Sequence, residues 1–122
     1  MIIARVIFDE DGDFFGLHVS GHAGYAQYGS DIICAAVSSL TLNSVNSILQ
    51  YTDQGIVYET NEDGLLKFKF EDKPSHDVVL LFKSMILGLK GIEEQYGSEY
   101  LQVRFLQRFS KNVFRKYDYQ EV

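Results

Sequence analysis

Residues 2–21 read IIARVIFDEDGDFFGLHVSG, and this stretch decides the fold. Ile2–Phe8 and Phe14–Gly21 are rich in β-branched and aromatic residues, and Asp9-Glu10-Asp11-Gly12-Asp13 separates them. Asp11-Gly12 supplies the positive backbone angles of a tight turn, so the stretch predicts a β-hairpin. The acidic five superficially look like a calcium loop, but the glycine is misplaced and no Glu follows at the closing position. Further on, Gly55–Thr60 and Leu65–Glu71 flank Asn61-Glu62-Asp63-Gly64, a second turn sequence. In the second of these strands Leu66, Phe68 and Phe70 point one way and Lys67 and Lys69 the other. That alternation fits an amphipathic strand better than an RNA-stacking surface, since no RNP-type sequence accompanies it. Two hairpins require antiparallel pairs, which excludes a doubly wound parallel sheet.

Between and after the hairpins the period changes. Asp31 to about Tyr51 reads as a helix with Ile33, Ala36, Val37, Leu40 and Ile48 on one side, its first turn capped by Ser30 or Asp31. Pro74-Ser75 opens a second helix that runs to about Gln95 and stops near Gly97, with Leu81, Met85 and Leu89 on its apolar side. Gly88 and Gly91 are its candidate points of interruption. Glu99–Phe109 alternates Leu101, Val103 and Phe105 with Gln102 and Arg104, a fifth strand. The expected architecture is an α+β domain of order β-β-α-β-β-α-β, a mostly antiparallel sheet with two helices packed on it. Its 122 residues suffice for one compact unit, so residues 1–122 are read as a single domain.

Composition narrows the partners. Lys and Arg number 11 against 17 Asp and Glu, a net charge of −6, which argues against direct nucleic acid binding by the whole surface. The charge is uneven: residues 1–64 hold a single base, Arg5, whereas Arg104, Arg108, Lys111, Arg115 and Lys116 gather near the end. That group is either an RNA-facing patch or, more ordinarily, a solvated strand face and tail. One cysteine, Cys34, permits no intrachain disulfide and fits a reducing, cytoplasmic compartment. The first residues do not read as a signal peptide, and uninterrupted apolar runs such as Val78–Phe82 are too short for a membrane span. No cofactor or metal is expected. His18 and His22, four apart on a strand, stand about 13 Å from one another, and one Cys with three His shows no zinc-ligand spacing.

Chemistry concentrates where the first hairpin meets the first helix. Gly21-His22-Ala23-Gly24 ends a strand, His22–Ser30 is a loop containing Tyr25, Tyr28 and Gly29, and Asp31-Ile32-Ile33-Cys34 starts a helix. A thiol in the first turn faces the positive end of the helix dipole, which favours thiolate. A histidine nearby completes an ion pair and supplies a proton for a leaving amine, and first-turn N–H groups, that of Cys34 among them, suit an oxyanion. On spacing alone a plainer account also fits: Cys34 as a small core residue and His22 bonded to the backbone.

The residues Gly21-His22-Ala23-Gly24 and Gly29-Ser30-Asp31-Ile32-Ile33-Cys34-Ala35-Ala36-Val37-Ser38 resemble the signature of the ribosomal-processing cysteine protease family (Prp), and the resemblance covers essentially the whole chain. It implies a cysteine endopeptidase that removes the short N-terminal extension of large-subunit ribosomal protein twenty-seven, cleaving after a Phe-Phe-ending segment. His22 then stands where the family has its catalytic histidine and Cys34 where it has its nucleophile. Asp31 and Ser38 match supporting positions, and Ala23, Gly24, Tyr25, Tyr28, Gly29 and Ser30 belong to a mobile loop over the site. A homodimer is implied as well. Asp31 either orients His22 or caps the helix and holds the loop; capping is favoured, because a carboxylate beside the thiol raises its pKa. Tyr25 and Tyr28 either form an apolar slot for substrate or pack the loop down. Two other classes remain: a non-catalytic ribosome-assembly factor binding rRNA or ribosomal protein, and a thiol redox sensor.

Overall fold

The computed structural model describes residues 1–26, 31–60, 66–108 and 119–121. Strands β1 (Ile2–Phe8) and β2 (Phe14–Gly21) form the first hairpin, followed by helix α1 (Ile32–Tyr51), strands β3 (Ile56–Thr60) and β4 (Leu66–Phe70), helix α2 (His76–Tyr96) and strand β5 (Leu101–Arg108). The order β-β-α-β-β-α-β is therefore present. A short strand β6 (Tyr119–Glu121), not expected from the sequence, pairs antiparallel with β5 at the sheet edge. The sheet order is β3-β4-β2-β1-β5-β6, antiparallel throughout except for the central β1–β5 pair.

The first turn differs from the expected form. Only Gly12 has positive φ, at +84°. Asp9 organises the rest: its Oδ1 accepts N–H bonds from Asp11 and Asp13, both at 2.9 Å, and its carbonyl accepts that of Gly12 at 3.1 Å. An Asp side chain that mimics a backbone turn removes the need for a second positive φ. The second hairpin pairs β3 with β4 as expected; its turn, Asn61–Gly64, and Leu65 lie outside the described residues, as do Phe109, Lys111, Arg115 and Lys116.

Both helices cover one face of the sheet. Ile2, Ala4 and Val6 of β1, Leu17 and Val19 of β2, and Leu66, Phe68 and Phe70 of β4 meet Ile33, Val37, Val45 and Ile48 of α1 and Val78, Phe82, Met85, Ile86 and Leu89 of α2. Phe82 sits at the centre, edge-on to Phe14, Phe70 and Phe68 with centroids 4.8, 5.4 and 5.8 Å away. Helix α2 passes unbroken through Gly88 and Gly91. At Gly88 the missing side chain has a packing cause: a Cβ there would stand 2.7 Å from Leu40 Cδ2, so glycine lets α1 and α2 close together. Helix α1 carries no charged residue and, by length and composition, is apolar enough to cross a membrane. The short apolar runs did not suggest this, because Ser, Thr and Asn interrupt them; here its Ile33–Val37–Val45–Ile48 side is buried on the sheet.

The opposite face is cationic. The register places Arg104, Arg5, His18 and Lys67 side by side across β5, β1, β2 and β4, with Glu59 of β3 next to Lys67 at 4.0 Å. Burial, and then the charges of Lys67 and Arg5, hold the His18 imidazole down at about 4. At the end of β5, Arg108 lies over the Phe15 ring at 3.8 Å and reaches Glu10 at 3.7 Å.

Where β2 ends, Gly21 has φ +90°, and a Cβ on it would run into the Met1 carbonyl. Gly21→Ala is expected to destabilise the fold by about 1–3 kcal/mol, read as a fall in the urea midpoint. His18 gives a pH signature. As pH drops from 6.5 towards about 4 the unfolded chain takes up a proton that the folded His18 refuses, so stability is lost across that window. His18→Gln should flatten that part of the stability–pH profile.

Candidate active site

The site lies where β2 hands over to α1. Asp31 is the N-cap of α1, with extended backbone. Its Oδ1 accepts the N–H groups of Ile33 and Cys34, both at 3.0 Å, and its Oδ2 accepts that of Tyr25 at 3.2 Å. One carboxylate thus caps the helix and ties down the preceding loop. Desolvation pushes the Asp31 carboxyl up, but the N–H groups of Cys34, Tyr25 and Ile33 and a bond from the Cys34 thiol outweigh it, so its pKa is lowered. Of the two roles open to Asp31, capping and loop-holding is the one its hydrogen bonds display.

Cys34 follows in the first turn, half-buried against the edge of the core. Its Sγ accepts the N–H of Ala23 at 3.4 Å. Ala23 is itself buried, and Gly24 beyond it turns the chain with φ +69°. The strand end carrying His22 is thereby fastened to the sulfur through the very next amide. The His22 side chain is exposed. Among the described residues neither the His22 imidazole nor the Ser38 hydroxyl bonds to Cys34. Ser38, one turn further along α1, is half-buried, and its carbonyl accepts a 3.3 Å bond from Thr41 Oγ1. Tyr25 packs its ring edge-on against Tyr100 and Tyr96, at 5.2 and 5.8 Å. These two come from the far end of α2 and the approach to β5, and no motif in the sequence points to them. Tyr28, Gly29 and Ser30 lie outside the described residues.

Two expectations are corrected. The helix terminus was expected to lower the Cys34 pKa; instead it is raised, first by burial and further by the Asp31 charge, with the Ala23 N–H pulling the other way. Burial is the larger cause, and the carboxylate charge on the same turn adds to it, opposing the partial positive charge of the helix end. The Cys34 N–H was expected to serve an oxyanion; it is occupied by Asp31 Oδ1.

The model of a family described as cysteine protease Prp matches residues 1–102. Ribosomal processing cysteine protease Prp of Staphylococcus aureus (strain Mu50) is 31% identical over 99 residues, covering 80% of this chain and 92% of the relative. The protein of the same name from Bacillus subtilis (strain 168) is 30% identical over 102 residues, covering 79% and 90%. A crystal structure of the S. aureus protease with a covalently linked product peptide superposes with a TM-score of 0.79 at 26% identity, covering 86% of this chain and 99% of that one.

Asp31→Asn keeps a capping oxygen and removes the charge beside the sulfur. The pH at which iodoacetamide labelling of Cys34 reaches half its maximal rate should then move down relative to the wild type. An unmoved midpoint would contradict the electrostatic account.

Proposed function

The chain belongs to the cysteine protease Prp family, and we propose that it is the endopeptidase that trims the short N-terminal extension from large-subunit ribosomal protein twenty-seven, cleaving after a Phe-Phe-ending segment. The observation that carries this reading is the 3.4 Å bond from the Ala23 N–H to Cys34 Sγ. It fastens the residue after His22 to the only sulfur among the candidate site residues.

In the mechanism His22 takes the thiol proton and the thiolate attacks the peptide carbonyl, forming the C–S bond. The Ala23 N–H, already aimed at the sulfur, is a donor for the resulting oxyanion. The imidazolium then gives its proton to the departing amine as the C–N bond breaks. His22 next acts as base for the water that cleaves the thioester, which frees the acid and returns the proton to sulfur. The raised resting pKa of Cys34 means that substrate and His22, not the helix end alone, must produce the thiolate. Ser38 supports the loop or substrate from the next turn.

The protein acts in the cytoplasm as a homodimer. The outer faces of the helices support a second copy as partner: α1 is uncharged, with Leu42 and Leu49 exposed, and α2 exposes Leu80 and Leu87. Like-charged copies meet at lowest electrostatic cost through such faces.

Incubation with the extended ribosomal protein, read by mass spectrometry, tests the assignment. Cys34→Ala should be folded and inactive, and His22→Ala should lose roughly 10²–10⁴-fold in rate. Retained turnover by Cys34→Ala would rule out the nucleophile.

A further inference from the structure

The two edges of the sheet are treated differently. On the β5 side, β6 pairs with Leu106–Arg108, and the Glu93 carboxylate accepts the Val103 N–H at 3.0 Å. Edges are ordinarily blunted by such covers, or by Lys, Pro or a bulge. On the other side β3 reads Ile56-Val57-Tyr58-Glu59-Thr60, with no Lys, no Pro and an unbroken register against β4. Val57 is 45% exposed and Tyr58 51%.

The direction of its backbone groups follows from one bond. The Glu71 N–H donates to the Gly55 carbonyl at 3.0 Å, which makes Gly55 and Glu71 a hydrogen-bonded pair. Such pairs alternate along an antiparallel ladder, so Val57 and Glu59 bond to Lys69 and Lys67 of β4. Ile56, Tyr58 and Thr60 therefore turn their N–H and C=O groups outward.

We propose that β3 is the joint of the homodimer, pairing antiparallel with β3 of a second copy about a twofold axis through Tyr58. This rests on the homodimer reading and gives it a strand contact. Self-pairing in that register sets Tyr58 against the partner's Tyr58 and Ile56 against the partner's Thr60, with both bonds exchanged in each pair. Val57 then faces the partner's Glu59, so no like charges are opposed. Glu59 is the one charge on the strand and stands 4.0 Å from Lys67, which eases the meeting of two copies of net charge −6. The axis stands perpendicular to the sheet, so both copies keep their helices on one side. There α1, which ends at Tyr51 just ahead of β3, adds the area that a short strand pair lacks.

Light scattering over a concentration series and disulfide cross-linking test the joint. Tyr58→Pro removes only an outward N–H and leaves the bonds to β4 intact; Tyr58→Lys sets two ammonium groups on the axis. Each should weaken the dimer roughly five- to a hundredfold, with circular dichroism unchanged. Opposed Cα atoms in a hydrogen-bonded pair lie about 5.5 Å apart, within the span of a disulfide. In a Cys34→Ala background, Tyr58→Cys should thus give a linked dimer with oxidised glutathione, and Leu87→Cys, on the exposed side of α2, should not. A wild-type dimer whose strength neither Tyr58→Pro nor Tyr58→Lys alters would overturn the proposal and leave the homodimer standing. Linking by Leu87→Cys and not by Tyr58→Cys would do the same. A wild type that stays monomeric at every concentration would overturn the homodimer reading, and this proposal with it.

Discussion

Three backbone N–H groups converge on the carboxylate of Asp31, and the rest of the site depends on that convergence. Two come from the first turn of α1 and one from the loop that follows β2. Without an acceptor, the two helical donors would be orphans at a terminus, and the loop would have no anchor beside the sulfur. The same contact sets the electrostatics. It places a full negative charge where the helix offers a partial positive one, and so adds to burial in raising the pKa of the resting thiol. Structure and chemistry oppose each other at this residue: the group that assembles the site also holds its nucleophile in reserve.

Most of the fold can be read from local sequence. The turn at Asp9–Asp13, the Leu66–Phe68–Phe70 alternation and the Ser75 and Gly97 boundaries of α2 each carry their own short-range signal, and each element stands where those signals put it. What cannot be read is pairing at long range. The parallel partnership of β1 with β5 joins the two ends of the described core. Nothing in either strand announces it beyond the apolar character of β1 on both faces and of β5 on alternate residues. The row of Arg104, Arg5 and Lys67 around a neutral His18 is invisible for the same reason: it exists only once four strands are in register. Gly88 looks like a helix breaker in sequence and proves to be a packing contact, because its cause, Leu40, lies on another helix.

The site divides along the same line. The family motif located Cys34, Ala23, Gly24, Tyr25 and Asp31 on one short stretch, and the structure gathers Ala23, Tyr25, Asp31 and Cys34 through hydrogen bonds. The thiol's protonation was misjudged from sequence because a helix dipole is a local rule, whereas the balance here includes burial and a carboxylate charge. Tyr96 and Tyr100 could not have been named from the motif, since only tertiary packing brings them to Tyr25.

A protonated sulfur under a carboxylate cap also bears on how this enzyme could be blocked. Warheads chosen for intrinsic reactivity exploit a standing thiolate and would find little of one here, so they would be consumed by more ionised thiols elsewhere. An inhibitor for this site must instead draw its affinity from the surface around the sulfur, so that potency would follow fit more than warhead strength.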